Sequence, residues 1–189
     1  MKKILVTILT MSTLLVSFFS VAQEEQLKSH SEKYFTNTEL VNQDGEKVRF
    51  FSDVLKGKTV VIDSFFTTCT SICPVRSGNL QKIQEGLGEH VGKDVVLVSI
   101  TVDPETDTPE QLKAYAKRFN AKPGWIFLTG KKENVQTVLH KLGLNVEDKN
   151  SHSNVWLIGN EATGSWKKGF GLANSEELLK VVESVMKNK

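Results

Sequence analysis

The chain has 189 residues, 39% of them hydrophobic, and a formal net charge of +2. That length suits one domain with a full apolar core and excludes a miniature fold stapled by cysteines. The charge excludes a nucleic-acid footprint, which needs a clustered basic excess; Lys131-Lys132 and Lys167-Lys168 read as solvated surface.

Met1-Lys2-Lys3 is a basic start, Ile4 through Phe19 an apolar run, and Ser20-Val21-Ala22 before Gln23 a small-x-small cleavage pattern. Residues 1–22 therefore read as a signal peptide, with an uncleaved anchor as the alternative. Thr7, Thr10, Ser12, Thr13 and Ser17 make the run a poor anchor, and about 17 residues is the short limit for a span. No cysteine follows it, which argues against a lipoprotein. Cleavage removes Lys2 and Lys3 and no acid, leaving 22 basic residues against 22 acidic ones. Export places the only two cysteines, Cys69 and Cys73, in an oxidising compartment. Residues 23–34 read as a polar, flexible lead and residues 35–189 as one domain.

Glu39–Asn42 and Lys47–Phe50 flank an Asp44-Gly45 pair and read as a β-hairpin. Ser52–Lys58 reads as a helical turn ended by Gly57. Thr59–Phe65 is a buried strand leading into Phe66-Thr67-Thr68-Cys69-Thr70-Ser71-Ile72-Cys73-Pro74, and a helix follows to about Leu87, stopped by Gly88. A spacing of four at a first helical turn puts both cysteines on one face, roughly 5–6 Å apart at Cβ, where they can close a disulfide or grip one metal ion. Pro74 suits an early helical position, and the helix dipole favours thiolate over thiol.

Asp94–Val102 is a nearly continuous apolar, β-branched run of the kind covered on both faces in a parallel sheet. After an Asp103–Asp107 loop, Thr108 is an N-cap, Pro109 the first helical residue and Gln111 the partner of a capping box. Trp125–Leu128 is a strand and Glu133–Leu142 a helix. Val155–Ile158 and Ser165–Lys167 form an antiparallel pair, with Gly159, Asn160 and Gly164 assigned to the turn between them. Asn174 caps a last helix running to about Met186. The order predicts an α/β, thioredoxin-like (peroxiredoxin-like) fold with an N-terminal β-hairpin and a C-terminal strand hairpin plus helix.

Three ordered segments carry a family resemblance. Phe65–Pro74 resembles the Cys-x-x-x-Cys-Pro signature of the Sco/SenC copper proteins. Val98–Pro109 is similar to the family's Asp-Pro-x-x-Asp-Thr-Pro segment, and Ser151-His152-Ser153 stands where the family places its ligand histidine. The resemblance spans roughly Glu39 to Met186. It implies a thioredoxin-like domain binding one copper ion, Cu(I) or Cu(II), through Cys69, Cys73 and His152. It also implies a Cys69–Cys73 disulfide on oxidation. The implied partner is a copper-receiving membrane oxidase subunit or another copper protein, with a thioredoxin-like reductant as a second partner. The expected state is a monomer in the periplasm or on the outer face of the cytoplasmic membrane. The family usually carries Asp immediately before its histidine; Ser151 stands there instead, with Asp148 nearby as a substitute carboxylate.

Other roles compete for these residues. Two thiolates and an imidazole suit copper and also fit Zn²⁺ with one open position. A purely structural disulfide across so short a loop would contribute about 2 kcal/mol. A thiol–disulfide oxidoreductase, with Cys69 and Cys73 as its catalytic pair, is the principal alternative to a metallochaperone, and a copper or redox sensor would share the site. A general reductase is disfavoured by the Cys-x-x-x-Cys spacing and by the absence of proline near the 150s. A thiol peroxidase is disfavoured because Phe66 stands four before Thr70, where a proline is required. His30, His90 and His140 lack a ligand context. Asp103 reads as a turn residue, Trp125, Trp156 and Trp166 as packing, and Arg76 as a helix-surface residue unless it steadies the thiolates.

Overall fold

The computed structural model describes residues 31–145, 155–171 and 173–187. The expected signal peptide, most of the polar lead and the segment holding Asp148 and Ser151-His152-Ser153 lie outside these residues. The chain divides into residues 1–34 and 35–189. In the first unit, residues 31–34 are helical, where the sequence predicts a flexible lead. Among the described residues no helix is long and apolar enough to cross a membrane.

The second unit is a seven-stranded sheet, counted over the described residues, with helices on both faces. Its strands are β1 Glu39–Asn42, β2 Lys47–Arg49, β3 Thr59–Phe65, β4 Val95–Thr101, β5 Trp125–Thr129, β6 Val155–Asn160 and β7 Ser165–Phe170. Its helices are α1 Ile72–Leu87, α2 Pro109–Arg118, α3 Lys132–Leu142 and α4 Ser175–Lys187. The strand order is β2-β1-β5-β4-β3-β6-β7. β3, β4 and β5 are parallel, while β1 and β6 run antiparallel to β5 and β3. The mixed α/β architecture is the predicted one.

Every residue of β3 and β4 is buried, as their unbroken apolar runs require. Alternate side chains feed two cores. Val61, Phe65, Leu97, Trp125, Phe127 and Trp156 meet α1, α2 and α4 through Leu80, Leu112 and Val182. Val60, Ile62, Val98 and Ile100 meet α3 and the π-helical turn Phe50–Leu55.

α1 stops at Gly88, whose φ of +54° few other residues adopt. The α2 cap forms as half of the predicted box: Thr108 Oγ1 accepts from the Gln111 amide at 3.4 Å. The Thr108 amide donates to the Thr106 carbonyl at 3.0 Å rather than to the Gln111 side chain. Gly159 and Asn160 are strand residues, correcting the predicted turn. Gly159 pairs with Trp166, whose ring occupies the space a Cβ at 159 would need. Glycine there makes room for an aromatic neighbour across the strands.

Candidate metal centre

The cysteines sit where parallel strand β3 gives way to α1. Cys69 lies in the connecting loop, its amide turned onto the Phe66 carbonyl at 3.2 Å. Cys73 is the second residue of α1. The expectation that helical spacing presents both on one face is therefore corrected: a loop folds Cys69 back over the helix start. The Cys73 amide points at Cys69 Sγ, 3.4 Å away, using one of the free N–H groups of a first turn. Ser71 Oγ lies 3.8 Å from the same sulfur. Both cysteines are free thiols, Cys69 7% exposed and Cys73 fully enclosed.

Enclosure makes the two thiols unlike each other. Burial raises the Cys69 thiol, but hydrogen bonds from the Cys73 thiol and amide and from Ser71 together outweigh it, leaving Cys69 below the ordinary thiol value. Burial pushes the Cys73 thiol far up, helped by its hydrogen bond with Cys69 and by the Cys69 and Asp63 charges; a backbone hydrogen bond with Phe66 opposes this. The helix start thus favours the thiolate at Cys69 only, correcting the expectation for Cys73.

Asp107, in the second signature, holds the cysteine loop. Its carboxylate is fully buried and accepts from the Thr67 amide at 3.2 Å, from Thr67 Oγ1 at 2.5 Å and from Thr101 Oγ1 at 2.5 Å. Thr101 Oγ1 in turn accepts from the Asp103 amide at 2.9 Å. Burial raises the Asp107 carboxyl above its usual range despite the Thr101 and Thr67 hydrogen bonds. Sequence reasoning singled out Asp103, whose carbonyl accepts the Thr106 and Asp107 amides in a turn, and missed the second acid of the same motif. The available signal was a carboxylate preceding an N-cap threonine, with one threonine in the cysteine loop and one at the end of β4 to receive it.

Arg76 is buried, not on the helix surface. Its Nε lies 3.6 Å from Asp63 Oδ2, and its Nη2 donates to the Val155 carbonyl at 2.9 Å. The guanidinium carbon stands 4.0 Å from the centre of the Trp156 ring. Asp63 Oδ1 accepts from Ser99 Oγ at 2.7 Å, and Ser99 Oγ accepts from Trp125 Nε1 at 3.1 Å. Burial holds the Asp63 carboxyl above its usual range, with the Arg76 charge and the Ser99 hydrogen bond opposing. The next residue of α1, Ser77, shares a 3.0 Å hydrogen bond with the buried Tyr115 hydroxyl.

Among the described residues, no three His, Cys, Asp or Glu side chains gather into a metal-holding group. The described donors are the two sulfurs. His152 and Asp148 lie outside the described residues, as does His30. His90 is exposed and paired with Asp94 at 3.1 Å, and His140 is exposed at the end of α3. A close pair of soft sulfurs behind a buried wall fits a thiophilic cation such as Cu(I).

A family model described as SCO1/SenC matches residues 23–183. An SCO2-like protein of Rickettsia conorii is 42% identical over 103 residues, covering 54% of this chain and 48% of that protein. The chain spans about half the length of the curated relatives it matches. Arabidopsis thaliana ScoI, solved with copper bound, superposes with a TM-score of 0.70 at 27% identity, covering 82% of this chain and 99% of that one. BsSco, a Sco-family cytochrome c oxidase assembly protein in which a disulfide switch was identified, superposes with a TM-score of 0.67 at 27% identity. That match covers 82% of this chain and 94% of that one. With three signature segments in order, the thioredoxin-like arrangement around the cysteines and a match over most of its length, the chain belongs to the SCO1/SenC family.

Proposed function

We propose that this protein is an exported copper-binding metallochaperone. It holds one copper ion through Cys69, Cys73 and His152 and passes it by ligand exchange to a respiratory copper centre of the CuA type. The observation that carries the reading is the pair of free, enclosed thiols at the start of α1. The copper held by Arabidopsis ScoI and the oxidase-assembly role of BsSco support it. Copper is the cargo: both thiols lose their protons as it enters, so uptake releases protons and weakens as pH falls. Oxidation of the pair to a disulfide removes both thiolates and closes the site.

The unlike thiols favour a second reading, a thiol–disulfide oxidoreductase acting on a copper-site partner. Cys69 thiolate attacks a partner disulfide and forms a mixed disulfide. Cys73 then displaces the partner sulfur, leaving a Cys69–Cys73 disulfide and a partner dithiol, with two electrons and two protons transferred.

Copper stoichiometry and absorption of the reduced protein, beside His152→Ala, separate the two. One tightly held copper per chain, with a thiolate-to-Cu(II) band lost or altered in His152→Ala, is the expected result. Weak uptake indifferent to His152, with rapid reduction of a partner disulfide, replaces the chaperone by the oxidoreductase.

A further inference from the structure

Arg76 and Asp63 form an ion pair to which copper binding by two sulfurs and an imidazole gives no role. Their side chains are 0% and 1% exposed. Taking two charges out of water costs several kcal/mol per ion, and an apolar pair of like volume is commonly as stable or more so. Closure here is also incomplete. The 3.6 Å approach of Nε to Oδ2 exceeds a hydrogen bond. Asp63 Oδ2 and Arg76 Nε and Nη1 have no hydrogen-bond partner among the described residues. Stability alone does not account for such a pair in a chain that fills two apolar cores.

Its position does. Arg76 follows Cys73 by three residues on α1 and so shares its helix face. From there it reaches Asp63 on β3, which Ser99 ties to β4. It also reaches the carbonyl of Val155, the first residue of β6, and lies over Trp156 beside it. Val155 stands three positions after His152 in the sequence. One buried cation therefore joins the cysteine helix to the centre of the sheet and to the point where β6 begins.

We propose that Arg76 and Asp63 are positioning residues for the cysteine site: the pair locks the first turn of α1 against β3 and the start of β6, and metal-binding geometry depends on that lock. The metal half of the inference rests on the copper reading above; the lock itself is testable without metal.

The test compares the full chain, expressed with its leader, with the double variant Asp63→Leu/Arg76→Met and with Arg76→Lys. The double variant should unfold at a denaturant concentration at or above the wild-type midpoint, since both charges leave together. Yet amide exchange at residues 72–76 and 155–157 should quicken about tenfold, and the Cu(II)–thiolate band should shift or broaden. Arg76→Lys keeps a charge but cannot span Asp63 and the Val155 carbonyl with one ammonium, and should move both readouts in the same direction. A stable double variant with wild-type exchange and a wild-type band overturns the proposal. If the double variant does not fold, Arg76→Lys decides alone, and wild-type behaviour in it is the overturning result. If the unmodified protein takes up no copper, the copper reading fails and the exchange measurement decides the lock.

Discussion

The two faces of the sheet are built from alternate residues of the same strands. On one, Val60, Ile62, Val96, Val98 and Ile100 meet α3 and the Phe50–Leu55 turn in an aliphatic layer. On the other, Val61 and Leu97 share their rows with Asp63 and Ser99, under Arg76, Ser77 and Tyr115. Along these rows the first face is apolar apart from the buried Ser64 hydroxyl. The second carries buried charge and hydroxyl groups because the thiols sit above it, and each such group adds a desolvation cost that a plain core avoids. Stability and chemistry are thus divided between opposite sides of one layer.

Substitutions should separate the two. The largest effect on stability is expected from Ile62→Ala, which opens a cavity in the aliphatic layer and should cost about 2–5 kcal/mol in chemical denaturation while leaving copper stoichiometry at the wild-type value. Asp107→Ala should cost less, about 2–3 kcal/mol from the orphaned Thr67 and Thr101 donors, yet weaken metal retention strongly because the cysteine loop loses its anchor. Competition with a Cu(I) chelator reads that second effect. Thr108→Ala removes an N-cap acceptor and should lower stability by about 1 kcal/mol with no change in the copper spectrum. If it changes the spectrum, the division between faces is less sharp than drawn.

The smallest effect is a slope with pH. Burial holds the Asp63 carboxyl above its unfolded value, so the folded form binds that proton more tightly. The corresponding stability is fully present below the ordinary carboxylate value and is lost as pH rises through the folded one. Asp63→Asn should remove this contribution and flatten the acid-to-neutral profile of the denaturation midpoint, whatever its absolute level.

Much of the fold was legible because its signals are local. The β-branched runs of β3 and β4, the Thr108-Pro109 cap and the Asp44-Gly45 hairpin each announce an element within a few residues. The site was legible as a set of residue types and less so as geometry. Helical spacing placed both cysteines on α1, whereas the loop turn at Phe66 folds Cys69 back instead. Arg76 read as surface because a helical arginine announces nothing of a carboxylate thirteen residues earlier. Gly159 read as a turn because the Trp166 ring that requires it lies across the strands. Only the Arg76 miss concerns a distant partner; the other two turn on a loop bend three residues back and a ring seven residues on, which helical or turn patterning does not report.

The grip of Asp107 on Thr67 has a consequence for transplantation. The ten residues Phe65–Pro74 look like a portable cassette, but the conformation of their loop is fixed by a carboxylate forty positions downstream of Thr67. Grafted alone onto another thioredoxin-like scaffold, the cassette would arrive with its thiols and without the fastening that presents them. The smallest unit that can be moved between scaffolds is the cysteine loop together with the Thr101–Pro109 segment.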